Sequence, residues 1–350
     1  MENITVTPSD FSIIVATPHD LYFCSEVEVQ LHNFRKFNMS QYMQILVYET
    51  EDVSWREYWD KLAQRYAEVS FFFYSIPGLK NLLTIYPQVC RPSMLRVHYQ
   101  RFPEMKDKVI WYIDSDVLLT KPIDFTPWLK DDICYLSSTP YIGADYFASK
   151  RNDVWPFKLE LYDQRDILKE LCDIVGIDKQ VVIDNNTNTG GCQYLLKGID
   201  SSFWEDVEKN CVELRFKALN LNAEFFPSEN KGLQSWAIGD MCGLLWNLWK
   251  RNIEVRCPSE FDFSWASSPI EKYDQCSIFH NAGISGIYQE MDGKKHRMFH
   301  KGDIRFRTSV MTFFDITEWG EITTDYCTYK YVEAIKEVED PICITKSIKY

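Results

Sequence analysis

The sequence predicts an α/β protein with a mostly parallel central sheet flanked by helices, and three observations predict it. Strand-like apolar runs alternate with helix-length amphipathic segments through the first 120 residues. Apolar residues make up 45% of the 350, enough for one large core. No repeat, low-complexity tract or Pro/Gly-rich linker interrupts the chain.

Taken in order, "FSIIVAT" (11–17) reads as a buried strand, and "LYFCSEVEVQLHNFRKF" (21–37) carries apolar residues at helical spacing. "YMQILVYE" (42–49) is a second strand, a helix follows near 55–67, and "VSFFFYS" (69–75) is a third strand. "RPSMLRVHYQRF" (91–102) is a helix with Pro92 near its first turn, where proline is tolerated. "VIWYID" (109–114) is the next strand. The second half is less regular. Helices are expected at 158–175, closed by Gly176, and at 203–219, with a short strand at 192–197. The segment 232–250 keeps a 3.6-residue apolar period, and Asp240 falls on the apolar face. A carboxylate placed there has to be paired, hydrogen-bonded or turned to a polar pocket.

Composition narrows the partners. A net charge of −13, with no basic run of five, argues against nucleic acid. Aromatics at 15% suit a deep core and stacking platforms for sugars or flat ligands. No stretch approaches the ~20 apolar residues needed to span a bilayer, and the N-terminus does not read as a signal peptide. The 11 cysteines are odd in number and scattered, with no C-x-x-C pair, and several lie in apolar stretches (Cys134, Cys172, Cys242). A soluble protein of a reducing, cytoplasmic setting is expected, bacterial, viral or cytosolic, with Asn38-Met-Ser a chance glycosylation match.

Three segments carry chemistry. In "VIWYIDSDVLLTKPID" (109–124) an apolar strand ends on Asp114-Ser115-Asp116. In parallel α/β sheets ligands bind beyond the carboxyl ends of strands. Two hard carboxylates there suit Mn²⁺ or Mg²⁺, which could neutralise a departing diphosphate. A bare D-x-D is more often a turn, since aspartate bonds its own backbone. In "SIFHNAGI" (277–284), His280 follows a short strand; imidazole added to carboxylates would favour Mn²⁺, while alone it reads as a histidine bonded to backbone. In "DNNTNTGGCQYLLKG" (184–198), consecutive glycines allow close backbone approach and the Asn and Thr side chains offer neutral hydrogen bonds.

Together with "EFDFSW" (260–265) and "FHKGD" (299–303), these pieces resemble, in order and spacing over residues 10 to 310, the metal-dependent GT-A glycosyltransferases. The likeness is to glycosyltransferase family 8 and the related hydroxyproline- and serine-directed sugar transferases. The resemblance implies a Rossmann-like GT-A domain over 1–310, with a nucleotide-binding half (10–120), a donor-sugar and acceptor half (121–310), and a C-terminal extension (311–350). It implies that Asp114 and Asp116 bind the metal, with His280 as third ligand. Ala16, Thr17 and Pro18 would border the nucleotide, with Ser115 beside them, and Arg91 would face the nucleotide sugar. Asn188, Gly190 and Gly191 would line the donor sugar, Gln193 and Asp240 would serve the reacting face, and Asp262 and Trp265 would shape the acceptor side. Family 8 enzymes carry a lysine shortly after His-x-x-Gly; "HNAGISGIYQ" has none, so Lys301 takes the diphosphate role here.

The activity so implied is transfer of a sugar from a nucleoside-diphosphate donor, a UDP-sugar foremost, to a hydroxyl on a glycan, protein or small molecule, with retention of configuration. A nucleotidyltransferase would want a Gly- and Lys-rich phosphate loop near the N-terminus, and "ATPHDLYFC" is not one. A non-catalytic nucleotide-sugar- or carbohydrate-binding protein of the same fold is the third reading, and the intact Asp114, Asp116 and His280 speak against it.

Overall fold

A computed structural model describes residues 10–49, 54–148, 159–226, 232–307, 313–315 and 320–343. In chain order the strands are β1 (Phe11–Pro18), β2 (Met43–Tyr48), β3 (Ser70–Tyr74), β4 (Val109–Ile113), β5 (Val117–Leu119) and β6 (Cys134–Ser138). They continue with β7 (Gly190–Leu196), β8 (Val255–Arg256), β9 (Phe263–Trp265), β10 (Ile278–His280), β11 (Tyr288–Met291) and β12 (Lys294–Arg297). The described residues fall into two compact units. One takes 10–11, 76–112 and 126–259, the other 12–75, 113–125 and 260–343. The α/β class expected from the sequence is observed.

In the second of these units β1, β2 and β3 are parallel neighbours, with Val15 opposite Ile45 and Ile45 opposite Phe71. Ile13, Ile14 and Val15 are fully buried, as a continuous apolar run in a parallel strand requires. The crossover from β1 to β2 is the helix α1 (Leu21–Lys36), which begins where the Asp20 carboxylate accepts the Phe23 N–H at 3.0 Å. A small sheet of order β5-β10-β9 sits in the same unit, β10 running antiparallel to β5 and parallel to β9. Behind it Leu118, Phe279, Phe299, Phe313, Tyr331 and Ile335 close a separate apolar cluster. β11 and β12 form a hairpin whose turn residues Asp292 and Gly293 both have positive φ (53° and 70°), the conformation that a two-residue hairpin turn favours.

In the other unit the strand order is β4-β7-β6-β8, and β7 runs antiparallel to both its neighbours. β6 and β8 are parallel, so this unit is mixed while β1, β2 and β3 are parallel throughout, as the expected mostly parallel sheet requires. Its helices Cys90–Arg101 and Ser201–Phe225 are tied by Glu208, which accepts from Ser93 Oγ at 2.7 Å and Arg96 Nε at 2.5 Å. The second of these helices starts two residues before the expected 203 because Asp200 caps it, accepting the Phe203 N–H at 2.9 Å.

Two expected helices are broken. The segment read as 158–175 is Leu159–Asp163 followed by Ile167–Val175, because Asp166 turns its carboxylate to the Lys169 N–H and starts a new helix; residue 158 lies outside the described residues. Gly176 closes it as expected, at φ 78° with its N–H on Cys172 O at 2.9 Å. The segment read as 232–250 contains a π-helical turn over Ile238–Cys242 between Ser235–Ala237 and Gly243–Lys250. Such insertions are frequent at functional sites.

Candidate functional site

The site in the unit that holds β1 is built by two short strands and one helix. β4 ends at Ile113, the chain turns through Asp114-Ser115-Asp116, and β5 starts at Val117. β10 pairs with β5 so that His280 stands opposite Val117, one residue beyond Asp116. The Asn281 N–H donates to Asp116 O at 3.1 Å and continues the ladder past the strand end. On the other side β5 meets α1. Gln30 Nε2 donates to Asp114 O at 2.8 Å and to Val117 O at 2.9 Å. Asn33 exchanges two hydrogen bonds with the backbone of Leu119, at 2.8 and 3.0 Å.

The result is a convergent donor set. His280 Nε2 lies 3.3 Å from Asp116 Oδ1 and 3.6 Å from Asp114 Oδ2. One ligand atom from each of the three residues falls within 4.8 Å of the others. Asp116 and His280 are buried and Asp114 is partly exposed, so one flank of the set stays open. The ring of Trp265 stacks on His280, centroids 5.8 Å apart and planes 19° from parallel, which fixes the imidazole plane. Two carboxylates and an imidazole around a shared point are the ligand chemistry of Mn²⁺ and related divalent ions.

Lys301 reaches the same point: its ammonium pairs with Asp116 Oδ2. Burial pushes the Asp116 carboxyl up, but Lys301 and His280 outweigh it and hold the group well below the usual carboxylate range. Asp116 is therefore ionised at neutral pH, as a carboxylate that binds a cation has to be. Burial lowers the Lys301 ammonium, and Asp116 with Glu26 more than restores it, so it stays protonated. Behind the turn lies Glu26, on which the sequence drew no attention. Glu26 on α1 accepts from Ser115 Oγ at 2.7 Å and from Tyr22 Oη at 2.5 Å. Its own pKa is raised to about 7, first by burial and then by the Asp116 charge.

The other expected site residues are spread over both units. Ala16 and Thr17 are buried and Pro18 half-buried at the carboxyl end of β1. Ser115 is 7% exposed with its hydroxyl turned to Glu26. Trp265 stands on β9 beside β10, and burial raises the carboxyl of Asp262 just before β9. In the other unit, Arg91 and Asp240 form an ion pair, each side chain at most a fifth exposed. This satisfies the requirement that the inward Asp240 find a partner. Asn188 Nδ2 donates to Val255 O at 2.7 Å. Gly190 and Gly191 are buried in β7: a Cβ on Gly190 would lie 2.4 Å from Leu136 Cβ, and one on Gly191 2.1 Å from Met241 Cε. Gln193 is fully buried, and Cys192 before it holds φ 69°, a conformation a non-glycine residue adopts only when its surroundings enforce it. That kink carries no signal in the sequence.

No protein-family model matches the chain, and no curated protein matches it. Solved structures similar to it include glycosyltransferases. The bifunctional glycosyltransferase WbbM, in its apo form, aligns with TM-score 0.46 and 10% identity over 95% of this chain and 51% of its own, so this chain spans about half its length. The galactosyltransferase LgtC, in complex with donor and acceptor sugar analogues, aligns with TM-score 0.41 and 9% identity over 93% of this chain and 96% of its own. Mouse xyloside xylosyltransferase 1 aligns with TM-score 0.38 and 11% identity over 79% and 99%. Likenesses this distant decide nothing about activity, which has to be argued from the residues. Among the described residues no helix is long and apolar enough to cross a membrane.

Proposed function

We propose that this protein is a divalent-metal-dependent glycosyltransferase that moves a sugar from a nucleoside diphosphate, a UDP-sugar foremost, to a hydroxyl acceptor. The observation that carries the proposal is the convergence of Asp114, Asp116 and His280 at the end of a buried strand. These three residues would hold Mn²⁺, or Mg²⁺. When bound, the metal supplies Lewis-acid stabilisation of the charge that builds on the departing diphosphate. Lys301 would place a second positive charge beside the same oxygens, since its ammonium already reaches Asp116. Trp265 would keep the imidazole of His280 in plane.

The chain's other polar groups take substrate-holding roles in this proposal. Ala16, Thr17 and Pro18 border the nucleotide, with Ser115 on the same side. Asn188, Gly190 and Gly191 line the donor sugar, and Arg91 faces the nucleotide sugar. The Arg91–Asp240 pair would orient hydroxyls of the transferred sugar, the guanidinium fixing the Asp240 carboxylate in place. Gln193 would act on the reacting face, and retention of anomeric configuration is the stereochemical outcome proposed. Asp262 would line the acceptor side.

The test is a panel of nucleotide sugars offered with Mn²⁺ and scored for free nucleoside diphosphate. Slow hydrolysis of one donor, abolished by chelation, is the expected result. Release of pyrophosphate from a nucleoside triphosphate would indicate a nucleotidyltransferase instead. Mn²⁺-dependent binding without turnover of any donor and acceptor pair would indicate a binding protein.

A further inference from the structure

The helix α1 is mostly buried, yet its sequence carries a polar stripe. Tyr22, Glu26, Gln30 and Asn33 succeed one another at steps of four, four and three residues, so they share one face of the helix. Every one of them is spent on the segment 114–119 or on its neighbour in the stripe. Asn33 pairs with the backbone of Leu119, Gln30 bridges the carbonyls of Asp114 and Val117, and Glu26 takes the hydroxyl of Ser115 while Tyr22 donates to Glu26. β5 has β10 on one edge. On its other edge these side chains do what a neighbouring strand would do, satisfying backbone groups that would otherwise be buried without partners.

Of the four, Glu26 stands apart. Gln30 and Asn33 bond main chain alone, and such contacts fix a backbone whatever the chain does chemically. Glu26 instead holds the side chain that lies between the two carboxylates, and it brings a third acidic group to within electrostatic reach of Asp116 and Lys301. Burying a carboxylate against a like charge is unfavourable unless a cation compensates both. A leucine or methionine at position 26 would fill the same space at lower electrostatic cost. An acidic side chain there makes physical sense if the turn has to present its two aspartates to a positive charge.

We infer that Glu26 is a positioning residue for the Asp114-Ser115-Asp116 turn, acting through Ser115 to aim both carboxylates and adding negative potential that favours a divalent cation. This inference rests on the metal-site reading of Asp114, Asp116 and His280. Groups that orient metal ligands from behind typically change metal affinity 10–100-fold when removed.

The test measures Mn²⁺ binding to the full chain directly, by the loss of the free-ion electron paramagnetic resonance signal, alongside thermal unfolding. Glu26→Gln keeps the shape and removes the charge. Ser115→Ala removes the link and leaves the charge. The expected result is a Mn²⁺ dissociation constant raised about 10-fold or more by Glu26→Gln, and less by Ser115→Ala. The double variant should fall short of the product of the two effects, and unfolding midpoints should stay close to wild type. Unchanged Mn²⁺ affinity in both single variants would overturn the inference, as would independent, multiplicative effects. So would weakened binding that merely tracks lost stability from variant to variant, including a Glu26→Gln protein that fails to fold while Ser115→Ala binds normally. Wild-type protein that binds no Mn²⁺ would instead remove the metal-site reading itself, which separates the two failures.

Discussion

His280 Nε2 stands 3.3 Å from Asp116 Oδ1 although 163 residues separate them in the chain. The closeness is imposed by main chain. β10 and β5 pair so that His280 faces Val117, and the Asn281 N–H closes onto Asp116 O. A set of donor atoms held by ladder hydrogen bonds is stiff, which is what preorganised charge stabilisation requires. Four predictions test this site and the fold that carries it.

Asp116→Asn should abolish glycosyl transfer while leaving the fold intact. The amide is nearly the same shape but cannot carry the charge that pairs with Lys301 and would bind a cation. A loss of roughly 10³-fold in kcat corresponds to about 4 kcal/mol of transition-state stabilisation. Turnover of the Asn variant near the wild-type rate, with Mn²⁺ varied, would remove Asp116 from the metal site.

Lys301→Met should act on the donor more than on the fold. The side chain as a whole is about a third exposed, so its shortening leaves no large cavity. A charge-assisted hydrogen bond to a diphosphate oxygen is worth roughly 1.5–3 kcal/mol, or about 10–150-fold in donor KM or Kd. Isothermal titration with the nucleoside diphosphate in the presence of Mn²⁺ would read it. An unchanged affinity would return Lys301 to a purely structural pairing with Asp116.

Gly190→Ala should lower stability through packing alone. The added methyl would lie 2.4 Å from Leu136 Cβ, 2.8 Å from Cys257 Sγ and 2.9 Å from Ser137 O, distances no Cβ tolerates without movement of β6. Overpacking of this kind costs about 1–3 kcal/mol. A chemical-denaturation midpoint equal to wild type would show that the strands open without cost.

Acid should destabilise the protein partly through His98, which is fully buried on the helix Cys90–Arg101 against Phe102, ring centroids 5.0 Å apart. Burial, with Arg101 and Lys108 adding to it, lowers its pKa to about 4. An unfolded histidine protonates near 6.5. Above pH 6.5 both states are neutral and the group adds no pH dependence. As pH falls from 6.5 toward 4 the unfolded state gains the proton first, so stability is lost across that window, by roughly 3 kcal/mol at its end. Urea unfolding of wild type and His98→Phe at pH 7 and pH 4.5 should show the steeper loss in wild type. Equal losses would exclude His98 as the cause.

What the sequence made legible was whatever local periodicity encodes. The apolar runs of β1, β2 and β3 and the strand leading into Asp114 are visible because a buried parallel strand has no polar position to hide it. Asp240 was readable as inward because it interrupts an apolar helical face, and its partner Arg91 was the basic residue already singled out. The π-helical turn at Ile238–Cys242 was not readable, since one extra residue in a turn leaves the apolar period almost undisturbed. Nor were β5 and β9, three residues each, which exist only by virtue of pairing with β10. The α1 stripe was hidden for a different reason. Polar residues at helical spacing ordinarily mark the solvent face, and nothing local distinguishes Glu26, Gln30 and Asn33 from such a face. Lys301 was found by its motif, while its pairing with Asp116 is tertiary and has no local signature.

The pairing of β5 with β10 spans three residues on each side, Val117 to Leu119 and Ile278 to His280. It measures the distance between Asp116 and His280 in peptide units. One residue inserted between Asp116 and Leu119 would slide the register by a single step and turn His280 toward the opposite face. The 158 residues between Leu119 and Ile278, by contrast, could lengthen or shorten in their surface loops without altering that spacing at all. Chains descended from this one should therefore vary freely in length between the two halves of the ladder and not at all within it.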